Sequence, residues 1–265
     1  MTADPFADAV IADRLRLLTY AELRMTPGGW WRDPARMQVV IGALATTERW
    51  PYLEVLGINY QPGAPFGSPA DVARALADGG PGLYNLARGG PQQAMFAEET
   101  DAWMQVGVGT ELLKVISYAG GDVLARLGPA AIDDLVDAIA EIRAALDGRA
   151  RLLEMHARPT ALGKLSYPRP QPHRRAAIPL SAVVDVVEAD PPAGGPDSGP
   201  ARAARAIAEA EIPPGVSRVT LGKLLIVRWV DDPSDPVAVC KAAAAHESWL
   251  AGRIETTLEP PGKTR

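Results

Sequence analysis

The sequence predicts an α+β fold built from two related halves with mainly antiparallel sheets. Three observations carry that expectation. A strand-like run, Glu111 to Tyr118, is followed by Gly120-Gly121 and an amphipathic helical pattern from Pro129. The same order returns near the C-terminus, where Lys223 to Trp229 leads through an acidic turn to a helical pattern from Pro236. Finally, helical patterns open behind one recurring device, in which a capping or turn residue precedes proline: Asp33-Pro34, Ser68-Pro69, Gly128-Pro129, Gly199-Pro200 and Asp235-Pro236. Proline at the first helical position gives up no hydrogen bond, and Asp or Ser before it accepts an orphan amide.

Taken in order, Leu15 to Met25 reads as a strand closed by Pro27-Gly28-Gly29, and Asp33-Pro34 opens a helix to about Thr46 with Met37, Val40, Ile41 and Leu44 at helical spacing. The first half then reads as strand Leu53 to Tyr60, a Pro/Gly loop, helix Pro69 to Ala77, strand Leu83 to Ala87, an insertion over Arg88 to Asp101, strand Glu111 to Tyr118 and its helix. Arg151 to His156 would close a β-α-β-β-α-β, ferredoxin-like unit. The second half repeats strand Leu180 to Glu188, a Pro/Gly loop from Asp190 to Gly199, helix Pro200 to Ala210, strand Ser217 to Leu221, then Lys223 to Trp229 and the last helix. It lacks a sixth strand, and the N-terminal strand is expected to fill that vacant edge. The expected divisions are 1–52 for the N-terminal strand and helix, 53–158 and 178–254 for the halves, a stiff Pro-rich connector at 159–177, and a polar tail at 255–265.

Composition narrows the function. At 265 residues with 47% hydrophobic and 22% charged, the chain has enough apolar content for a sizeable core. A net charge of -5 argues against a phosphate-backbone partner, which needs clustered Lys and Arg. No apolar run reaches the roughly 20 residues that span a bilayer, and the first residues lack a secretory pattern, so the expectation is a cytoplasmic protein without nucleic-acid or membrane partners. The abundance of Ala, Arg, Gly and Pro fits a high-GC bacterial coding bias.

The motifs that invite a catalytic assignment fail on inspection. His246-Glu247 has Leu250 where a second zinc-binding imidazole would stand, and only His156 and His173 remain elsewhere. Gly107-Val-Gly109 has Leu112 at the third glycine position of a dinucleotide turn and is expected to be a tight turn between strands. Gly262-Lys263-Thr264 has Thr257 in place of the first glycine of a phosphate loop. Asp231, Asp232 and Asp235 suit turn formation and capping, and Asp133, Asp134, Asp137 and Glu141 suit a solvated helix face. Cys240, the single cysteine, lies among alanines where a buried thiol is expected. The sequence therefore assigns no catalytic, metal or cofactor-binding residue and no cofactor.

What remains is a recognition surface. Trp30 and Trp31 follow Pro27-Gly28-Gly29 with Arg32 beside them, and Trp and Arg dominate binding hot spots. At least one of these tryptophans is expected to plug the core instead. The Pro/Gly loops of the two halves would share one rim.

The stretch Leu221-Gly222-Lys223-Leu224-Leu225 with Trp229, inside Ile178 to Trp229, resembles the immunity-type proteins of bacterial toxin–immunity systems. The resemblance spans about a quarter of the chain and brings no site residues. It implies a non-catalytic protein that binds and blocks a toxin. The alternatives from other classes are an enzyme with an acidic and arginine site, and a structural protein that self-assembles through a sheet edge; the oligomeric state is left open.

Overall fold

The computed structural model describes residues 15–59, 61–90, 101–161, 182–188 and 210–258. Its strands form a single ten-stranded sheet in the order β3-β2-β4-β5-β6-β1-β7-β8-β10-β9, every neighbouring pair antiparallel. In chain order the strands are β1 (Leu15–Met25), β2 (Val55–Ile58), β3 (Ala64–Pro65), β4 (Gly82–Ala87), β5 (Ala102–Val108), β6 (Leu112–Gly120), β7 (Ala150–Ala161), β8 (Val184–Glu188), β9 (Ser217–Leu221) and β10 (Leu224–Arg228). The helices are α1 (Pro34–Ala45), α2 (Pro69–Gly79), α3 (Gly121–Leu127), α4 (Ala130–Ala145) and α5 (Pro236–Leu258).

The expected caps form. Asp33 accepts the amide of Ala35 at the start of α1, Ser68 accepts that of Asp71 at α2, and Asp235 accepts those of Val237 and Ala238 at α5. The helix expected at Pro200 to Ala210 lies almost wholly outside the described residues.

Helices α1 to α4 cover one face of the sheet. Alternate residues of each strand point at them, as the two-residue period of a strand requires: Leu17, Ala21 and Leu23 of β1, Met104 and Val106 of β5, Leu113 and Val115 of β6, Met155 and Ala157 of β7. Against these pack Met37, Ile41 and Leu44 of α1, Val72 and Leu76 of α2, and the stripe Ile132, Leu135, Val136, Ile139 and Ile142 of α4. Burial of so many large apolar side chains, each worth about 1.5–3 kcal/mol, dominates the stability of the layer.

Two expectations need correction. The N-terminal strand does not complete the second half. β1 lies between β6 and β7, pairing Arg16 with Gly120 on one side and with Thr160 on the other. The edge of β8 is taken instead by β7, through Met155 to Ala157. The halves also differ in strand order. A split β-α-β unit holds a third strand between the two it joins, and β10 does lie between β8 and β9. In the first half β2 and β4 are direct neighbours, so the ferredoxin-like order is not repeated there.

The boundaries shift too. The sheet runs without a break through both halves. Pro159, expected in the connector, belongs to β7 and pairs with Leu17; β8 reaches only as far as Ala157, so the missing proline N–H falls where no described strand needs it. Residues 162–177 of the connector are outside the described set, and helix α5 extends through Glu255 to Leu258, where a polar tail was expected.

Candidate functional site

The sheet face away from α1–α4 carries the chemistry. Because all pairs are antiparallel, and the register shift of β1 against β7 falls between Glu22 and Leu23, just beyond these rows, the side chains of this face line up across the strands. One row runs Asn85, Gln105, Ile116, Tyr20, His156, Asp185. The next runs Lys114, Glu22, Glu154. On the other side lie Trp103, Tyr118, Leu18 and Arg158. The polar residues of β7, Glu154, His156 and Arg158, thus alternate with Met155 and Ala157 of the core.

Contacts within the rows are specific. Gln105 Nε2 donates to Asn85 Oδ1 at 2.8 Å, and the Trp103 and Tyr118 rings sit 5.0 Å apart. Tyr20 stacks on His156 with ring centroids 5.3 Å apart and its hydroxyl donates to Glu22, which also pairs with Lys114 at 3.2 Å. Glu154 Oε1 stands 4.0 Å from His156 Nδ1, too far for a hydrogen bond.

Electrostatics follow from this crowding. Burial pushes the Glu154 carboxyl up to about 7, Glu22 across the strand adds to the shift, and Lys114 opposes it. Burial holds His156 down to about 3, with Arg158 and His246 contributing. Burial also lowers Arg158 from its ordinary value.

Further along the first row, α5 closes over the face. His246, fully buried, accepts the Ala182 amide at Nδ1 over 3.2 Å, which makes Nε2 the protonated nitrogen; Nε2 donates to Asp185 at 2.9 Å. Trp229 and Trp249 pack around the imidazole. Both nitrogens of His246 are committed to the fold. Cys240 is buried, as expected.

The tight turn expected at Gly107-Val-Gly109 lies slightly later: Gly107 and Val108 end β5, and Gly109 N–H bonds Leu112 C=O to close the β5–β6 hairpin. The Asp232 carboxylate accepts from the Ser234 amide and hydroxyl, a turn as read. The acidic face of α4 is not simply solvated. Asp134 pairs with the buried Arg49, which also reaches Ser117 Oγ at 2.7 Å, and Asp133 pairs with Arg228. Among the described residues no group of three His, Cys, Asp or Glu is arranged to hold a metal ion.

Of the three residues expected to meet a partner, Trp30 is buried, its Nε1 donating to Gly109 C=O at 3.1 Å. It seals the core and cannot contact a partner without leaving it. Trp31 is half-buried, lies against Gly80, and carries the Arg32 guanidinium 5.0 Å above its ring; Arg32 is exposed.

At the far end of the sheet β9 is exposed from Arg218 to Leu221, and Val219 retains 51% of its surface. No described strand pairs with its outer edge. The motif Leu221 to Leu225 forms the turn of the β9–β10 hairpin that presents it, Gly222 supplying a left-handed φ of 57°.

Comparison with known proteins adds little. No protein-family model matches the chain, and no curated protein is significantly similar to it. Among solved structures it is similar to a Pseudomonas aeruginosa T6SS protein, PA0821, with 12% identity, a TM-score of 0.47, and coverage of 88% of this chain and 73% of that one. No described helix is long and apolar enough to cross a membrane.

Proposed function

We propose that the protein is a non-catalytic binding protein that receives a protein partner along the open β9 edge, and that in its sharpest form it is an immunity-type inhibitor of a bacterial toxin. The observation that carries this is the exposure of β9. Among the described residues no strand pairs with the outer edge of β9, and an edge strand that bears exposed Val219 and Leu221 is a template for strand addition. The residues that resemble immunity-type proteins build this same hairpin. The net charge of -5 suits a basic partner. Trp31 and Arg32 lie near the opposite end of the sheet and would form a separate contact.

The test is capture of partners from the native host by the wild-type protein and by Val219→Lys. Lysine on an exposed edge should leave the fold intact, within about 0.5 kcal/mol, and abolish capture of a secreted toxin. Capture unchanged by the substitution would refute the edge as the contact. A dimer in sedimentation that V219K dissolves would favour the self-assembling alternative.

The enzyme alternative has one observation behind it: a carboxyl at about 7, Glu154, sits in the range useful for proton transfer. A hydrolytic activity lost in Glu154→Gln would support that reading over the first.

A further inference from the structure

The hairpin that presents β9 fixes which of its backbone groups turn outward. Two residues, Gly222 and Lys223, join β9 to β10, so Leu221 and Leu224 flank the turn as a hydrogen-bonded pair. Bonded and non-bonded pairs alternate along an antiparallel ladder. Val219 with Ile226 is therefore bonded too, whereas Arg218 with Val227 and Thr220 with Leu225 are not. The outward N–H and C=O groups belong to Arg218 and Thr220, and among the described residues no strand meets them. The opposite edge is blunt, because β3 has two residues and one is Pro65.

Side chains divide between the two faces. Val219 and Leu221, both exposed, stand with Leu224, Ile226 and Arg228 on the side of α4, since Arg228 pairs with Asp133 of that helix. Arg218 and Thr220 stand on the other side, and the Arg218 guanidinium donates back to Ala210 C=O. In an added antiparallel strand, the residues opposite Arg218 and Thr220 take the hydrogen bonds. Those opposite Ser217, Val219 and Leu221 fall in non-bonded pairs, where side chains come closest.

Val219 and Leu221 call for apolar neighbours there. Ser217 lies beside Arg228, under the first turns of α4. Asp133 and Asp134 hold Arg228 and Arg49, while exposed Asp137 has no ion pair among the described residues. Desolvation and the two neighbouring aspartates push the Asp137 carboxyl up, with Arg228 opposing them, as expected of a corner one cation short. From the inner side β10 meets Leu221, Val219 and Ser217 with Leu224, Ile226 and Arg228, an apolar–x–apolar–x–arginine run.

On the edge-binding reading, we infer that β9 receives an antiparallel strand of the order apolar–x–apolar–x–Lys or Arg. Its apolar residues face Leu221 and Val219, and its cation stands opposite Ser217 and reaches toward Asp137. The order carries the direction, since a parallel strand would need the basic residue first.

The experiment titrates the isotope-labelled full chain with capped synthetic peptides and follows backbone amides by proton–nitrogen NMR. The probe is Thr-Val-Thr-Val-Thr-Arg-Thr. Its controls reverse the order, replace Arg by Glu, or N-methylate the two threonines that follow the valines. The probe should move the Thr220 amide downfield, and the Val219 amide, already bonded to Ile226, far less. Reversal or Glu should weaken binding about fivefold, N-methylation should abolish it, and Asp137→Asn should erase the preference for Arg over Glu. Equal binding of the forward, reversed and Glu peptides would overturn the inferred order and leave β9 an open edge. Binding of the N-methylated peptide would rule out strand addition and overturn both. If no peptide moves Thr220, the inference falls; loss of toxin capture in Val219→Lys would then keep the edge reading, and unchanged capture would end it as well.

Discussion

Glu154 Oε1 stands 4.0 Å from His156 Nδ1, and the usual order of their protons is inverted: the carboxyl titrates at about 7 and the imidazole at about 3. Near pH 6 the pair therefore carries its proton on the acid, and the histidine is neutral. Desolvation is the first cause on both sides, because a shielded sheet face penalises either charged form.

A pH dependence with a defined sign follows. Glu154 holds its proton in the folded state above its ordinary value, so the native protein binds more protons than the unfolded chain between about 4.5 and 7. Stability then falls as pH rises through that window, by up to about 3 kcal/mol. His156 acts oppositely: the unfolded chain binds its proton first, and stability falls as pH drops from about 6.5 toward 3. Urea unfolding at pH 5 and pH 8 should show Glu154→Gln gaining on the wild type at the higher pH. An equal difference at both would contradict the placement of the proton.

The two tryptophans of the first loop should separate cleanly. Trp30→Ala removes a fully buried ring and its bond to Gly109, and should cost about 3–5 kcal/mol. Trp31→Ala loses a half-buried contact with Gly80 and the cation–π contact of Arg32, and should cost less than half as much. Thermal unfolding of the two single variants measures the ratio.

His246 fastens α5 to the sheet through Asp185. His246→Ala leaves the Asp185 carboxylate buried and unpaired, with a loss of about 3–5 kcal/mol. Pairing the change with Asp185→Val should recover a large part of that loss, since both polar groups are then gone. A double-mutant cycle in guanidinium checks it; strictly additive losses would show that the two residues do not act together.

Arg49 is a buried cation with a committed environment. It joins the loop after α1 to Asp134 of α4 and Ser117 of β6. Arg49→Met should destabilise by about 3 kcal/mol or more through the stranded Asp134. Amide exchange should show the loss concentrated in α4. Protection unchanged in α4 would mean that Asp134 finds another partner.

The strands were largely legible because each is an apolar run bounded by glycine or proline, and the helices because proline and a capping residue mark their starts. The placement of β1 was not. Strand order depends on contacts between residues a hundred or more apart, and an unfilled edge in the second half is satisfied equally well by β7. The two-residue β3 is too short for any pattern to show. The polar face was missed, although Glu154, His156 and Arg158 alternate with Met155 and Ala157, a two-residue period that marks one side of a strand as polar. Asp185, alone within Val183 to Val187, is the kind of isolated acid that needs a buried partner, and it was not among the residues singled out from the sequence. What no local pattern holds is the register that sets Glu22 opposite Glu154 and His156 opposite Tyr20. The burial of Trp30 against the exposure of Arg32 was likewise undecidable from a glycine loop that suits both.

The position of β1 has a consequence for how the chain reaches this shape. Its neighbours are β6, which pairs Arg16 with Gly120, and β7, which pairs the same residue with Thr160. A ribosome makes β1 well before either, so this long apolar ribbon must wait unpaired while the intervening meander is translated. The middle of the sheet can be zipped only after β7 emerges. Such late closure predicts slow, non-local folding and a nascent chain dependent on chaperone shelter over that interval.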